Sequence, residues 1–210
     1  MNDYYNMKSS GSLRILSNFR TYQQTSGYTC GCCCLIMAMD YVAHDTSMSE
    51  KECAYLSDTG TDIHDNPIGG GAYLTNLTHV LDEKGYEYVA NEIGLEDAPF
   101  EDYVTFKDWV IDSINNGWPI IVCSNDWAGH YTIIIGIDTM GTDGDDETYD
   151  DVIIMADPFD TTDHRQDGYN VWGLERFFDF WGVTITLFPE SLRPYSMYRF
   201  IQVKGKRQTN

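Results

Sequence analysis

The hydrophobic pattern of this 210-residue chain changes period once, and that change limits the folds open to it. Up to residue 117 apolar side chains recur at helical spacing, whereas from residue 118 they come in short β-branched runs. The stretch CGCCCLIMAMDYVA carries Leu35, Ile36, Met39 and Val42 without a proline, so a buried helix is expected over 31–43. A short second helix is expected in SMSEKECAYLSD, where Ser49 stands three residues before Glu52 as in a capping box. GGGAYLTNLTHVLDEKG gives a third helix ending at Gly85, and TFKDWVIDSINNG a fourth closed by Gly117. Glycine takes the left-handed conformation that stops a helix more easily than any other residue.

Four later runs read as buried strands: WPIIVCS (118–124), HYTIIIGID (130–138), DVIIMA (151–156) and YRFIQV (198–203). Helices followed by strands give an α+β fold, a helical N-terminal part packed on a mainly antiparallel sheet. The length suits one domain over residues 1–210 with one sizeable core, and residues 1–20 and 205–210 are expected at its periphery. Hydrophobic residues at 42% and aromatics at 14% can fill such a core, which excludes a disordered chain.

With 13 basic and 33 acidic residues the formal charge is −20, so the summed field repels phosphate backbones and anionic lipid. Nucleic acid is therefore not an expected partner. No segment approaches the roughly 18 uninterrupted apolar residues of a membrane span, and MNDYYNMKSSGSLRIL lacks the basic-then-apolar layout of an export signal. No membrane insertion is expected, and the chain is placed in the cytoplasm, or outside the cell if an export signal has been removed. The insert TMGTDGDDETYDD is rich in carboxylates but lacks the twelve-residue calcium-loop spacing, and it reads as a solvated hairpin loop. Composition leaves the oligomeric state open.

The chemistry concentrates in QQTSGYTCGCCC, where Cys30, Cys32, Cys33 and Cys34 lie within five residues. Such close neighbours do not readily bridge one another, because a disulfide needs Cα atoms roughly 4.4–6.8 Å apart with converging Cβ vectors. Only Cys53 and Cys123 stand apart, so reduced thiols are expected. A thiol is a good nucleophile as its thiolate, which the uncompensated N–H groups of a helix N-terminus favour. Cys30 holds that position, and the other three lie deeper in the helix. They fit either small packing residues or soft metal ligands, although consecutive helical positions point about 100° apart and cannot close a tetrahedral site alone. No second CxxC or HxxxH supplies the missing ligands.

A nucleophilic thiol needs an imidazole. Among His44, His64, His79, His130 and His164, only His130 follows a glycine at the first position of an expected strand, where the ring is held firmly with one edge open. The ring in turn needs a group to fix its tautomer. Asp157 ends the next strand, just before Pro158, and antiparallel neighbours would bring it close to His130.

With QQTSGYTCG, GHYTIIIGID and ADPFD, followed by GLERFFDFW, the chain resembles the C39-like family of papain-fold cysteine peptidases over most of its length. The resemblance implies a papain-like fold with Cys30 as nucleophile, His130 as general base and Asp157 as orienting group. It also implies Gln24, six residues before Cys30, as an oxyanion donor beside the Cys30 backbone N–H; Gln23 is one residue out of register. Phe177, Phe178 and Trp181 are implied to pack under the active-site sheet. Related sequences usually follow the catalytic CG with proline and small residues, where this chain has Cys32, Cys33 and Cys34. The implied activity is hydrolysis of a peptide or isopeptide bond in a peptide or protein substrate, with no cofactor and no metal. Two alternatives stand: papain-like acyl transfer of the phytochelatin-synthase kind, and a non-catalytic thiol- or metal-sensing protein of the same fold.

Overall fold

The helix that begins at Cys30 is enclosed on most of its circumference, which accounts for a first turn with no polar face. In the computed structural model, which describes residues 3–60, 70–91, 100–124, 129–142, 149–161, 164–182 and 198–208, this helix is α1 (Cys30–Ala43). Every residue from Cys30 to Leu35 is buried, as are Met37, Ala38 and Met39. Cysteine packs as a small hydrophobe, and three in a row suit a helix surrounded by other elements. α1 ends at His44, whose φ of 51° is left-handed; its N–H donates to the Asp40 carbonyl at 2.8 Å, and the Asp45 N–H donates to the Met39 carbonyl at 3.4 Å.

Three further helices of the N-terminal part follow the expected boundaries closely. α2 (Glu50–Leu56) is capped by Ser49, which accepts from the Glu52 N–H at 3.2 Å. α3 (Leu74–Glu83) and α4 (Tyr103–Asn115) are followed by Gly85 and Gly117 at φ 73° and 77°. α4 also has a capping box, Asp102 with Thr105, that the sequence reading passed over. The late helix α5 (Leu174–Gly182) buries Leu174, Phe177, Phe178 and Trp181, and the Trp181 Nε1 donates to the Cys123 carbonyl at 3.2 Å.

Seven strands are found among the described residues: β1 (Leu13–Ile15), β2 (Tyr86–Asn91), β3 (Ile120–Ser124), β4 (His130–Asp138), β5 (Val152–Ala156), β6 (Tyr169–Gly173) and β7 (Arg199–Lys206). They form one sheet in the order β2-β7-β3-β4-β5-β6, every pairing antiparallel, with β1 pairing β4 beyond the end of β3. α1 lies against β3, β4 and β7 on one side and against α2 and α3 on others. The architecture is thus the α+β arrangement that the change of period implied, with β1, β2 and β6 added to the four expected strands.

One expectation needs correction. Residues 1–20 are not all peripheral, because β1 joins the sheet and Ile15, Leu16 and Phe19 are buried in the core. Apolar residues this far from the first helix gain their burial from β4, a partner more than a hundred positions away that no local spacing announces. Gly136 admits the strand: a Cβ there would stand 2.9 Å from the Arg14 carbonyl oxygen. At the other end β7 continues through Gly205 and Lys206, paired with Glu87 and Tyr86. His64 and residues 143–148 of the acidic insert lie outside the described residues. No described helix is long and apolar enough to cross a membrane.

Candidate active site

Cys30 is the first residue of α1 and is 7% exposed. Gly31 lets the helix start where it does. A Cβ at that position would lie 2.8 Å from Leu77 Cδ1 and 3.2 Å from Tyr131 Cδ2, so a larger residue would push α1 away from both α3 and β4. The N-cap residue, Thr29, makes no side-chain cap to the helix. Its hydroxyl is committed elsewhere, to Glu50 Oε1 at 2.5 Å and to Ser26 Oγ at 2.8 Å.

His130 opens β4 and Asp157 follows β5, so the pairing of these two strands sets the residues side by side. The His130 Nε2 and Asp157 Oδ1 are 2.8 Å apart, and both side chains are buried. The Cys30 thiol is a further hydrogen-bond partner of the ring; since Nε2 faces Asp157, Nδ1 is the nitrogen left for it. Burial, the largest influence on the imidazole, pulls its pKa down, but the hydrogen bonds and charges of Asp157 and Cys30 outweigh it and carry the pKa up to about 9. The ring is therefore an imidazolium at neutral pH.

Asp157 is itself held on several sides. Its Oδ1 also accepts from the Phe159 N–H at 2.8 Å, its Oδ2 accepts from Asn170 Nδ2 at 3.1 Å, and its backbone N–H donates to the Gly168 carbonyl at 2.9 Å. Asn170 lies on β6, is 7% exposed, and its Oδ1 has no partner among the described residues. The sequence reading missed it. Its only local signal is a polar residue inside the strand YNVWG, and its role depends on β6 pairing with β5.

The two glutamines have different partners. Gln23 is a structural tie: its Nε2 donates to the Asp157 carbonyl at 2.8 Å and its Oε1 accepts from the Asp160 N–H at 3.2 Å. The Gln24 backbone N–H donates to the Pro158 carbonyl at 2.8 Å, which anchors the glutamine next to the Asp157 turn. Its Nε2 gives one hydrogen to the Ser26 carbonyl at 2.6 Å and has a second to offer, while its buried Oε1 has no partner among the described residues. Among the described residues no hydrogen bond joins Gln24 to Cys30.

The remaining thiols are more deeply buried than Cys30. Burial is the foremost influence raising the pKa of Cys33, Cys34 and Cys123. Cys53 is also raised, chiefly through its hydrogen bond to Cys32, and the same bond lowers Cys32, which Ser57 also contacts at 3.6 Å. All six cysteines are free and buried. His44 terminates α1, exposed His79 pairs with Glu83 at 3.3 Å, and His164 is exposed. Among the described residues, no group of three His, Cys, Asp or Glu side chains is arranged to hold a metal ion.

The model of the Peptidase_C39 like family matches residues 16–184. Among solved structures, the crystal structure of the peptidase domain of Streptococcus ComA, described as a bi-functional ABC transporter involved in a quorum-sensing pathway, is similar with a TM-score of 0.53. The identity is 14%, with 90% of this chain and 99% of that chain covered, so the likeness is one of fold. No curated protein matches the sequence.

Proposed function

As this chain belongs to the C39-like peptidase family, we propose that it is a cysteine peptidase whose nucleophile is Cys30. Its substrate is a peptide or protein, and the bond cut is a peptide or isopeptide bond. Cys30 attacks the carbonyl carbon as a thiolate, with the proton held on His130, and the carbonyl oxygen becomes an oxyanion. The Cys30 backbone N–H and the second amide hydrogen of Gln24 stabilise that charge. His130 then gives its proton to the leaving nitrogen as the carbon–nitrogen bond breaks, leaving a thioester on Cys30. Water attacks the thioester and passes a proton to His130; the acid product departs and the thiolate returns. Throughout, Asp157 holds the ring in one orientation and favours its charged form.

The observation that carries this reading is the 2.8 Å contact of His130 Nε2 with Asp157 Oδ1 on a ring whose other partner is the Cys30 thiol. Profiling cleavage on a peptide library tests it. Cys30→Ala and His130→Ala should abolish every cleavage seen with the native protein. Gln24→Ala should leave a rate lowered about 10²- to 10³-fold, the usual worth of one oxyanion donor. Asp157→Asn should fall between. Cleavage that survives Cys30→Ala would assign the chemistry to another residue.

A further inference from the structure

Glu50 is the first residue of α2, and its side chain faces the loop leading into α1. The carboxylate is buried, with the residue 7% exposed, and four hydrogen bonds reach it from Tyr22–Thr29. Oε1 accepts from the Thr25 N–H at 2.9 Å and from the Thr29 hydroxyl at 2.5 Å; Oε2 accepts from the Thr25 hydroxyl at 3.0 Å and from the Tyr22 hydroxyl at 3.4 Å. The Cys33 thiol faces it from α1. Burying an ionised carboxylate costs several kcal/mol unless donors surround it, and this loop supplies them.

Two features tie this arrangement to Cys30. An N-cap threonine ordinarily turns its hydroxyl onto the N–H groups of its own helix. Here Glu50 and Ser26 engage the Thr29 hydroxyl, and the first turn of α1 keeps its N–H groups clear of a side-chain cap. A cavity of about 160 Å³ lined by Thr25, Ser26, Tyr28, Thr29, Glu50 and Lys51 opens beside the loop. Hydrogen bonds hold the loop at the Pro158 carbonyl for Gln24 and at Glu50 for Thr25 and Thr29.

Resting on the assignment of Cys30 as nucleophile, we propose that Glu50 is a positioning residue for the oxyanion site. It fixes the segment carrying Gln24 and keeps the Thr29 hydroxyl off the N–H groups that receive the negative charge.

Two reagents separate this role from a general effect on the thiol. p-Nitrophenyl acetate transfers its acetyl group to Cys30 through a tetrahedral oxyanion and expels p-nitrophenolate, whereas iodoacetamide alkylates the same sulfur by direct displacement of iodide with no oxyanion. Rates for both are read on the Cys30 peptide by mass spectrometry, beside thermal melts. Glu50→Gln should slow acetylation about tenfold while alkylation stays within about twofold, since a displaced oxyanion donor loses part of its worth. In a Gln24→Ala background the same substitution should add less than about twofold, the non-additivity expected of residues acting through one group. If Glu50→Gln does not fold, Thr25→Val, which removes a hydroxyl donor that ties the Gln24 segment to Glu50, should show the same selective loss of acetylation. Acetylation and alkylation falling together, or acetylation unchanged, would overturn the proposal. A native protein in which neither reagent prefers Cys30 would instead overturn the peptidase reading on which it rests.

Discussion

Asn170 donates to Asp157 Oδ2 at 3.1 Å, the carboxylate oxygen that His130 leaves open. The aspartate is thereby held from both sides, and the imidazole inherits that fixed orientation. Asn170→Ala would leave a buried carboxylate oxygen short of a donor, at about 1–3 kcal/mol. The expected result is a kcat lowered roughly 3- to 30-fold with KM little changed, if part of that energy appears in the transition state. Steady-state kinetics on a library-derived substrate, with a thermal melt of the same variant, check it; unchanged kcat would make Asn170 a packing residue.

The His130 pKa lies near 9 in the folded protein against 6.5 for the free ring. A raised folded-state value means that the folded form binds the proton more tightly, so this contribution to stability is complete below pH 6.5 and disappears as pH rises through 9. Denaturant unfolding from pH 6 to pH 10 should show a decline over that window that is reduced in His130→Ala. An NMR titration of the ring gives the pKa directly, and a midpoint near 6.5 would contradict the geometry.

Replacing Cys32, Cys33 and Cys34 together with alanine should preserve most catalysis. All three are fully buried, and each change removes little volume, so a cost of about 1 kcal/mol per site is expected. Elemental analysis of protein purified without added metal should find no stoichiometric metal in either form. One zinc or copper per chain, lost in the triple variant, would make them ligands instead.

Gly31→Ala should cost more than any of those cysteines. The new methyl would stand 2.8 Å from Leu77 Cδ1, inside a contact between two buried elements, and such overpacking typically costs about 1–3 kcal/mol. Because the neighbouring residue is Cys30, alkylation of that thiol should slow as well. A melting temperature equal to that of the native protein would mean that Leu77 gives way freely.

The candidates Cys30, His130 and Asp157 stand out in the sequence because each lies where a regular element begins or ends, and boundaries leave local marks. Cys30 follows a turn and precedes an uninterrupted apolar run; His130 follows a glycine and opens a β-branched run; Asp157 sits between such a run and a proline. Asn170 and Glu50 have no comparable mark. Each acts on a partner distant in the chain, Asp157 in one case and Thr25 and Thr29 in the other, and only the packed fold supplies those distances. The same reason hid β1, β2 and β6. β1 has three residues, while β2 and β6 are partly exposed, so their alternation is weak and their pairing partners define them. Gln23 and Gln24 differ by one position and in their partners: Gln23 bonds to Asp157 and Asp160, while Gln24 gives one amide hydrogen to the Ser26 carbonyl.

β7, the last of the described strands in chain order, lies between β2 and β3. Tyr86 pairs with Lys206, and Cys123 with Arg199, so the sheet is two separate pieces until the final strand is laid between them. Pairings of such long sequence separation form late and slowly. Before that moment β2 and β3 both present open backbone edges, the kind of surface that recruits strands from other chains. A fragment ending before Arg199 would hold Gln24, Cys30, His130 and Asp157 and still be a seed for aggregation. During synthesis, the same vulnerability lasts until the ribosome releases residue 206.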